Sequence, residues 1–423
     1  MASATVNLKD EQVAVNYTRQ RVMGIVFLTL AAVLWFVFAQ GVEPDAITKF
    51  GLPASTQLGD NIDWELMSRS TLIPLALITA VLGGVQLARG FGQYTNLVLA
   101  IVVLLFIFGF LVWGASGKSL NLGGLLGAMI VRSVPITLAA MSGILSERAG
   151  IVNIAIEGMM LLGAMAGALV GSLTESLWIG LFGAVAAGAL LAAAHGALSI
   201  RYRINQIVSG TVLLIFATGF TSFIDAKFLQ EYQELNNPGT FKSWEIPVLS
   251  QIPVIGPILF NNNLFVYAMF LSVPLLHFMF YYTKWGLRVR SVGEHPKAAD
   301  TLGINVIRTR WISVLCSGGM AGLAGAYFTL GSVPRFDEGL TAGRGFIGLA
   351  AMIFGNWNPI GSFGAGLLFG FSDALQTKLA ILRLPIPSEF LLMLPYVATM
   401  VVLAGLVGKG QMPAADGEPY EKE

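Results

Sequence analysis

The sequence predicts an all-α protein, a polytopic transmembrane helical bundle of about twelve helices. Three observations predict it. The 423 residues are 55% hydrophobic and 12% charged, where soluble domains carry roughly 25% charged residues. Apolar runs of about 20 residues, the length a helix needs to cross a hydrocarbon core, recur along the whole chain. Lys and Arg gather in the short polar segments between those runs, as they do in loops held inside the cell. A net charge of +1 offers no electrostatic footprint for nucleic acid.

Taken in order, the apolar runs place helices at 22–40, 71–88, 97–114, 122–145, 151–171, 176–198, 207–224, 264–283, 311–330, 346–357, 361–377 and 389–407. The first is too long for the core of a cleavable signal and is expected to remain as a membrane helix. The fourth carries Arg132 and Pro135, and the tenth is too short to cross unaided. Placing the N-terminus inside puts Lys284, Arg288, Arg290, Lys297, Arg308 and Arg310 in one cytoplasmic loop, and both termini are then cytoplasmic. The single cysteine, Cys316, lies in an apolar run and forms no intrachain disulfide.

Two loops on the outer side are long. Residues 41–70 are acidic. Residues 246–258 contain Pro247, Pro253 and Pro257, which disfavour a regular helix and predict a turn-rich cap. Glycines recur at spacings of four, as at Gly163, Gly167 and Gly171, or at Gly318 and Gly322. Such rows let helix backbones approach closely.

The helices after residue 120 fall into two sets of four, 122–224 and 311–407. Each set has a Gly-broken polar insert after its first helix, at 146–158 and at 334–345. The loop charges put the first toward the cytoplasm and the second toward the outside, the arrangement of an inverted four-helix repeat. The chain therefore divides into an N-terminal extension, 1–120, with about three helices, a core, 121–408, and a cytoplasmic tail, 409–423.

The segment 293–305 is polar and carries its own helix signals. Pro296 suits the first helical position and Gly303 the left-handed stop. Ala298, Ala299 and Leu302 fall at helical spacing and form a small apolar stripe. So short a helix does not stand alone in water and needs a surface to dock on.

No HExxH, CxxC, GxSxG or Walker A pattern is present, so neither hydrolytic chemistry nor ATP binding is expected of this chain. The ionisable residues in apolar surroundings are Arg132, Glu157 and Asp373. Glu157 fits three roles: capping a helix start, lining a path, or carrying a coupled proton. Asp373 fits either an ion pair with Lys378 or a polar lining. Arg335, Asp337, Glu338 and Arg344 fit local ion pairing or a gate at the outer mouth. Asn153 and Trp357, beside backbone breaks, suit recognition of a neutral polar solute by hydrogen bonding and stacking.

Three stretches, in this order, carry a resemblance: SERAGIVNIAIEGMMLLGA (146–164), IPVLSQIPVIGPILF (246–260) and GEHPKAADTLGIN (293–305). Together they resemble the permease subunits of nucleoside-type ABC importers, of the same superfamily as the ribose/galactose and branched-chain amino acid permeases. The resemblance spans about 121–408 and leaves 1–120 unassigned. It implies a subunit in the cytoplasmic membrane of a prokaryote, moving nucleosides or related sugars by alternating access. It also implies a separate ABC ATPase carrying Mg-ATP, a second homologous permease in a heterodimer, and an extracytoplasmic solute-binding protein, with no cofactor on this chain. Glu294, Pro296, Ala298, Ala299, Leu302 and Gly303 would then be the coupling helix that docks on the ATPase. Asn153, Glu157 and Trp357 would line the path, and Arg335, Asp337, Glu338 and Arg344 would form an outer gate or receptor-docking site. An ion-coupled secondary carrier of a small polar solute is the alternative.

Overall fold

The computed structural model describes residues 8–53, 61–382, 393 and 411–422. Two compact units divide the chain. The first is built on α1 (Leu8–Ala32, prolonged by a π turn, Val33–Ala39), α2 (Ser68–Ala88) and α3 (Thr95–Gly114). Between these helices lies a small sheet, and here the all-α expectation needs correcting. Strands β1 (Ile47–Pro53) and β2 (Asn61–Met67) pair antiparallel from Ile47 with Met67 to Pro53 with Asn61. Strand β3 (Ser119–Asn121) joins β1 in parallel. Buried Phe50 packs against both Trp64 and Phe108, which stack on each other, and Thr48 donates its hydroxyl to the Val112 carbonyl at 2.8 Å. Short strands that mix polar and apolar residues carry no long apolar run, so hydropathy alone passes over them.

The second unit begins with α4 (Leu122–Glu147), α5 (Ile156–Thr174), α6 (Leu177–Gly196) and α7 (Gln206–Ile224). The following loop is turn-rich, as its prolines require. It holds the two-residue strands β4 (Trp244–Glu245) and β5 (Asn261–Asn262) and the short helix α8 (Ile255–Leu259). Then come α9 (Leu264–Tyr282), α10 (Lys284–Glu294), α11 (Pro296–Thr301), α12 (Val306–Ala326, ending in a π turn, Tyr327–Ser332), α13 (Arg344–Phe354) and α14 (Pro359–Ile381).

Helices α5, α6 and α12 form the centre of this unit, and their rows of small residues meet there. A methyl group on Gly188 would lie 2.3 Å from the Gly318 carbonyl oxygen, and one on Gly163 would lie 2.7 Å from the Gly322 Cα. Backbones this close leave no room for larger side chains. Met159, Met160, Ala184, Val314 and Ala321 fill the surrounding core.

Among the described residues nine helices are long and apolar enough to cross a membrane. The mostly helical, multi-pass architecture thus stands, and α13 is as short as its apolar run. The run at 389–407 and Lys409 lie outside the described residues, Met393 apart. The fifth helix starts at Ile156 and not at residue 151. Gly150 turns the chain at φ +80°, and the five residues after it stay out of helix because side chains hold their backbone groups. Gln206 Oε1 accepts from Val152 N at 2.7 Å, and His195 Nε2 lies 3.0 Å from the Val152 carbonyl oxygen.

Candidate functional site

The break between α4 and α5 places Asn153 and Glu157 deep in the second unit. Asn153 is fully buried. Its Nδ2 donates to Ser317 Oγ of α12 at 3.1 Å, and its Oδ1 accepts from Ala155 N at 3.1 Å. Ser317 is met from the other side by Ser142 of α4, with 3.0 Å between hydroxyls. These short polar groups close the hole that the missing helical bonds would leave.

Glu157 stands at the start of α5 and reaches the second insert. Its Oε1 accepts from Thr341 Oγ1 at 2.5 Å and from Gly343 N at 2.8 Å, and its Oε2 accepts from Gly345 N at 2.6 Å. Gly343 and Gly345 are the cap and second residue of α13, so one carboxylate occupies the N-termini of two helices at once. Free N–H groups and aligned peptide dipoles make such a place favourable for an anion. Glycine is required at 345, where a Cβ would lie 2.6 Å from Glu157 Oε2 and 2.8 Å from its backbone N.

Three charges lie together on α4, α13 and α14. Arg132 Nη1 is 2.9 Å from Asp373 Oδ1, and Arg344 Nη2 is 3.5 Å from Asp373 Oδ2. The Arg344 guanidinium also sits 5.7 Å from the centre of the Phe328 ring, on the π turn that ends α12. Asp373 thus pairs with two arginines, and the excess positive charge sits beside an aromatic face. Such a cluster can hold a polar solute through donors, acceptors and a π surface.

The other residues of the second insert behave separately. Arg335 Nε donates to Asp337 Oδ2 at 2.8 Å, and Glu338 accepts from Ser222 Oγ at 2.8 Å. Arg335 and Asp337 also border a cavity of about 430 Å³, which Asp225, Gln230, Gln233 and Asn236 line with polar groups.

Trp357 lies at the other end of α13. It is buried, and its Nε1 donates to Glu147 Oε2 at 2.6 Å. The Asn153 N–H reaches the same carboxylate, so Glu147 ties Trp357 to the α4–α5 break. Asn356 and Trp357 both adopt left-handed backbone, and Arg148 spans their carbonyls, at 2.9 Å to Trp357 O and 3.2 Å to Asn356 O.

In the segment 293–305, Pro296 opens α11, His295 Nδ1 accepts from Ala298 N at 3.1 Å, and Gly303 turns at φ +81°. The apolar stripe divides. Ala299, 2% exposed, packs against Val292, Val306 and Tyr420, whereas Ala298 is exposed and Leu302 is 81% exposed. Glu294 Oε2 accepts from Ala414 N at 3.3 Å. Residues 411–422 lie over this segment, and Asp416 of that stretch is buried beside Glu147 and Arg310. Burial pushes the Asp416 carboxyl up to about 7, against the opposing pull of Glu147 and the Arg310 guanidinium.

The sequence does not single out Glu147, Ser142, Ser317 or Arg310 as site residues. Only a charged residue at a run's edge signalled the first and last of these, and nothing in the sequence marked the two serines.

The comparisons with known proteins agree with one another. The family model described as "Branched-chain amino acid transport system / permease component" matches residues 125–406. The guanosine ABC transporter permease protein NupQ of Bacillus subtilis is 39% identical over 304 residues, 70% of this chain and 95% of the relative. The nucleoside ABC transporter permease protein NupC of Lactococcus lactis is 43% identical over 309 residues, again 70% and 95%. The putative glucose ABC transporter permease protein TsgC13 of Haloferax volcanii is 36% identical over 259 residues, 60% and 77%. No solved structure matches. The matched stretch contains both broken segments, the charge cluster and α11. The chain belongs to the branched-chain amino acid transport system permease component family.

Proposed function

We propose that this chain is the membrane-spanning permease subunit of an ATP-driven importer of nucleosides or related sugars. It sits in the cytoplasmic membrane with both termini inside, beside a second homologous permease. Mg-ATP is bound and hydrolysed on a separate ATPase, and an extracytoplasmic binding protein delivers the solute. The observation that carries this reading is α11: a six-residue helix with Ala298 and Leu302 turned outward, in a chain without a nucleotide motif. Family membership supplies the ATPase as its partner, and the names of the two nucleoside-type relatives supply the solute class.

In this reading the inserts at 146–158 and 334–345 are the equivalent breaks of an inverted repeat. Their meeting at Glu157 supports it, because such repeats place broken helices face to face near the membrane centre. Glu157 and Asn153 hold the breaks together, and Arg132, Asp373, Arg344 and Phe328 line the passage. Arg335, Asp337 and Glu338 edge its outer mouth. ATP binding shifts the permease between outward and inward states only through contacts that differ between them, and Ala298 of α11 and Leu302 at its C-cap make those contacts. An ion-coupled carrier fits less well. Two of the three donors on Glu157 are backbone N–H groups, which cannot reverse their role to serve a proton relay.

Uptake in vesicles carrying the co-expressed subunits tests the proposal. Labelled nucleoside is expected to accumulate only with ATP inside and an active ATPase. Accumulation that follows a proton or sodium gradient, and persists with a hydrolysis-dead ATPase, would sink it.

A further inference from the structure

Residues 411–422 touch both sides of the α10–α12 segment and the body of the second unit. On the segment, Ala415 N donates to the Gly293 carbonyl at 2.9 Å, and Tyr420 covers Ala299 together with Val292 and Val306. Ala299 is the one buried residue of α11, and among the described residues Tyr420 is part of its apolar seat. On the body, Gln411 N donates to Asn356 Oδ1 at 2.7 Å, beside Trp357. Arg310 Nη1 donates to the Glu418 carbonyl at 3.0 Å. Arg310 is buried on α12, and the acidic residues near it, Asp416 and Glu418, come from the same stretch. A buried guanidinium left without its counter-charges is costly, which holds the stretch in place. The ion pair Lys422–Asp300 is exposed and adds little.

We propose that residues 411–422 are a positioning strap that seats α11 and ties its movement to α12 and to the turn at Asn356–Trp357. The proposal rests on the importer reading above. A two-turn helix cannot transmit force if it can tilt freely on its seat. The strap removes that freedom, and it delivers motion of α11 to the Glu147–Trp357 contact and so to the α4–α5 break. Tyr420, Ala415 and Glu418 act through α11 and Arg310 and touch neither solute nor nucleotide.

The test compares solute moved per ATP hydrolysed in proteoliposomes of the complete transporter, for wild type, Tyr420→Ala, Tyr420→Phe and a chain ending at residue 410. Loss of the Tyr420 ring is expected to lower the ratio about tenfold while hydrolysis and subunit assembly persist. Tyr420→Phe keeps the ring and is expected to keep the ratio. An unchanged ratio in Tyr420→Ala overturns the strap, and so does a parallel loss of uptake and hydrolysis through failed assembly. Should the shortened chain not fold, a second design decides: Asp300→Cys with Lys422→Cys, the pair that already meets across strap and α11, in a Cys316→Ser background, joined by a short bis-maleimide. A strap that rides with α11 transports when joined, whereas transport abolished by joining overturns the proposal. Wild-type uptake that ignores a hydrolysis-dead ATPase would instead refute the importer reading, and it appears before any variant is made.

Discussion

Glu157 accepts three hydrogen bonds from a segment more than 180 residues away in the chain. Replacing it by Gln keeps one acceptor oxygen but sets an NH2 group against a backbone N–H. The expected cost is about 1–3 kcal/mol, the range for a buried donor left unsatisfied. It should appear as a lower unfolding temperature of the purified protein and as reduced uptake. An unchanged unfolding temperature in Glu157→Gln would show that the carboxylate is no anchor. The sequence made Glu157 visible, since an acid at a helix start beside a Gly-rich break is a local pattern. Its partners were not visible. Thr341, Gly343 and Gly345 are joined to it only by the fold, as Asp373 is joined to Arg132 across 241 residues. For that reason the sequence leaves Asp373 between two roles. Distant pairing has no trace in a single sequence, whereas caps and stops such as Pro296 and Gly303 are local and legible there.

At the scale of elements, periodicity located the long helices well, because an apolar run and a membrane helix have the same length. It failed where side chains override the run. The stretch 151–155 is apolar enough for helix, yet Gln206, His195 and Ser317 take its backbone and its Asn153 side chain. Glycine rows told that helices approach closely but not which ones. The structure makes α5, α6 and α12 the partners, and a comparison of two glycines checks this. At Gly322 a Cβ would lie 2.3 Å from the Ala184 carbonyl oxygen, while at Gly319 the nearest atom is a Val185 methyl at 3.4 Å. Gly322→Val is expected to overpack the crossing by about 1–3 kcal/mol or more and to abolish a monodisperse purified protein. Gly319→Ala is expected to be tolerated. Equal behaviour of the two in size-exclusion profiles would argue against this packing.

At the scale of the whole molecule, the loop charges predict sides, and labelling checks the prediction. In a Cys316→Ser background, Asn237→Cys is expected to react with an impermeant maleimide added to intact cells, and Lys297→Cys only after the cells are opened. The opposite pattern would invert the topology and remove α11 from reach of an ATPase. The first unit, with its sheet, was legible only as three apolar runs, and its role is not read from its residues. Glu157 fastens α5 to the start of α13, Glu147 and Arg148 fasten α4 to the end of α13, and glycine contacts lock α5 to α6 and α12. Helix α13 is thereby pinned at both ends, its start to α5 and its finish to α4. It cannot tilt alone: it either breaks one of these fastenings or carries α4 and α5 with it, as a strut does in a frame.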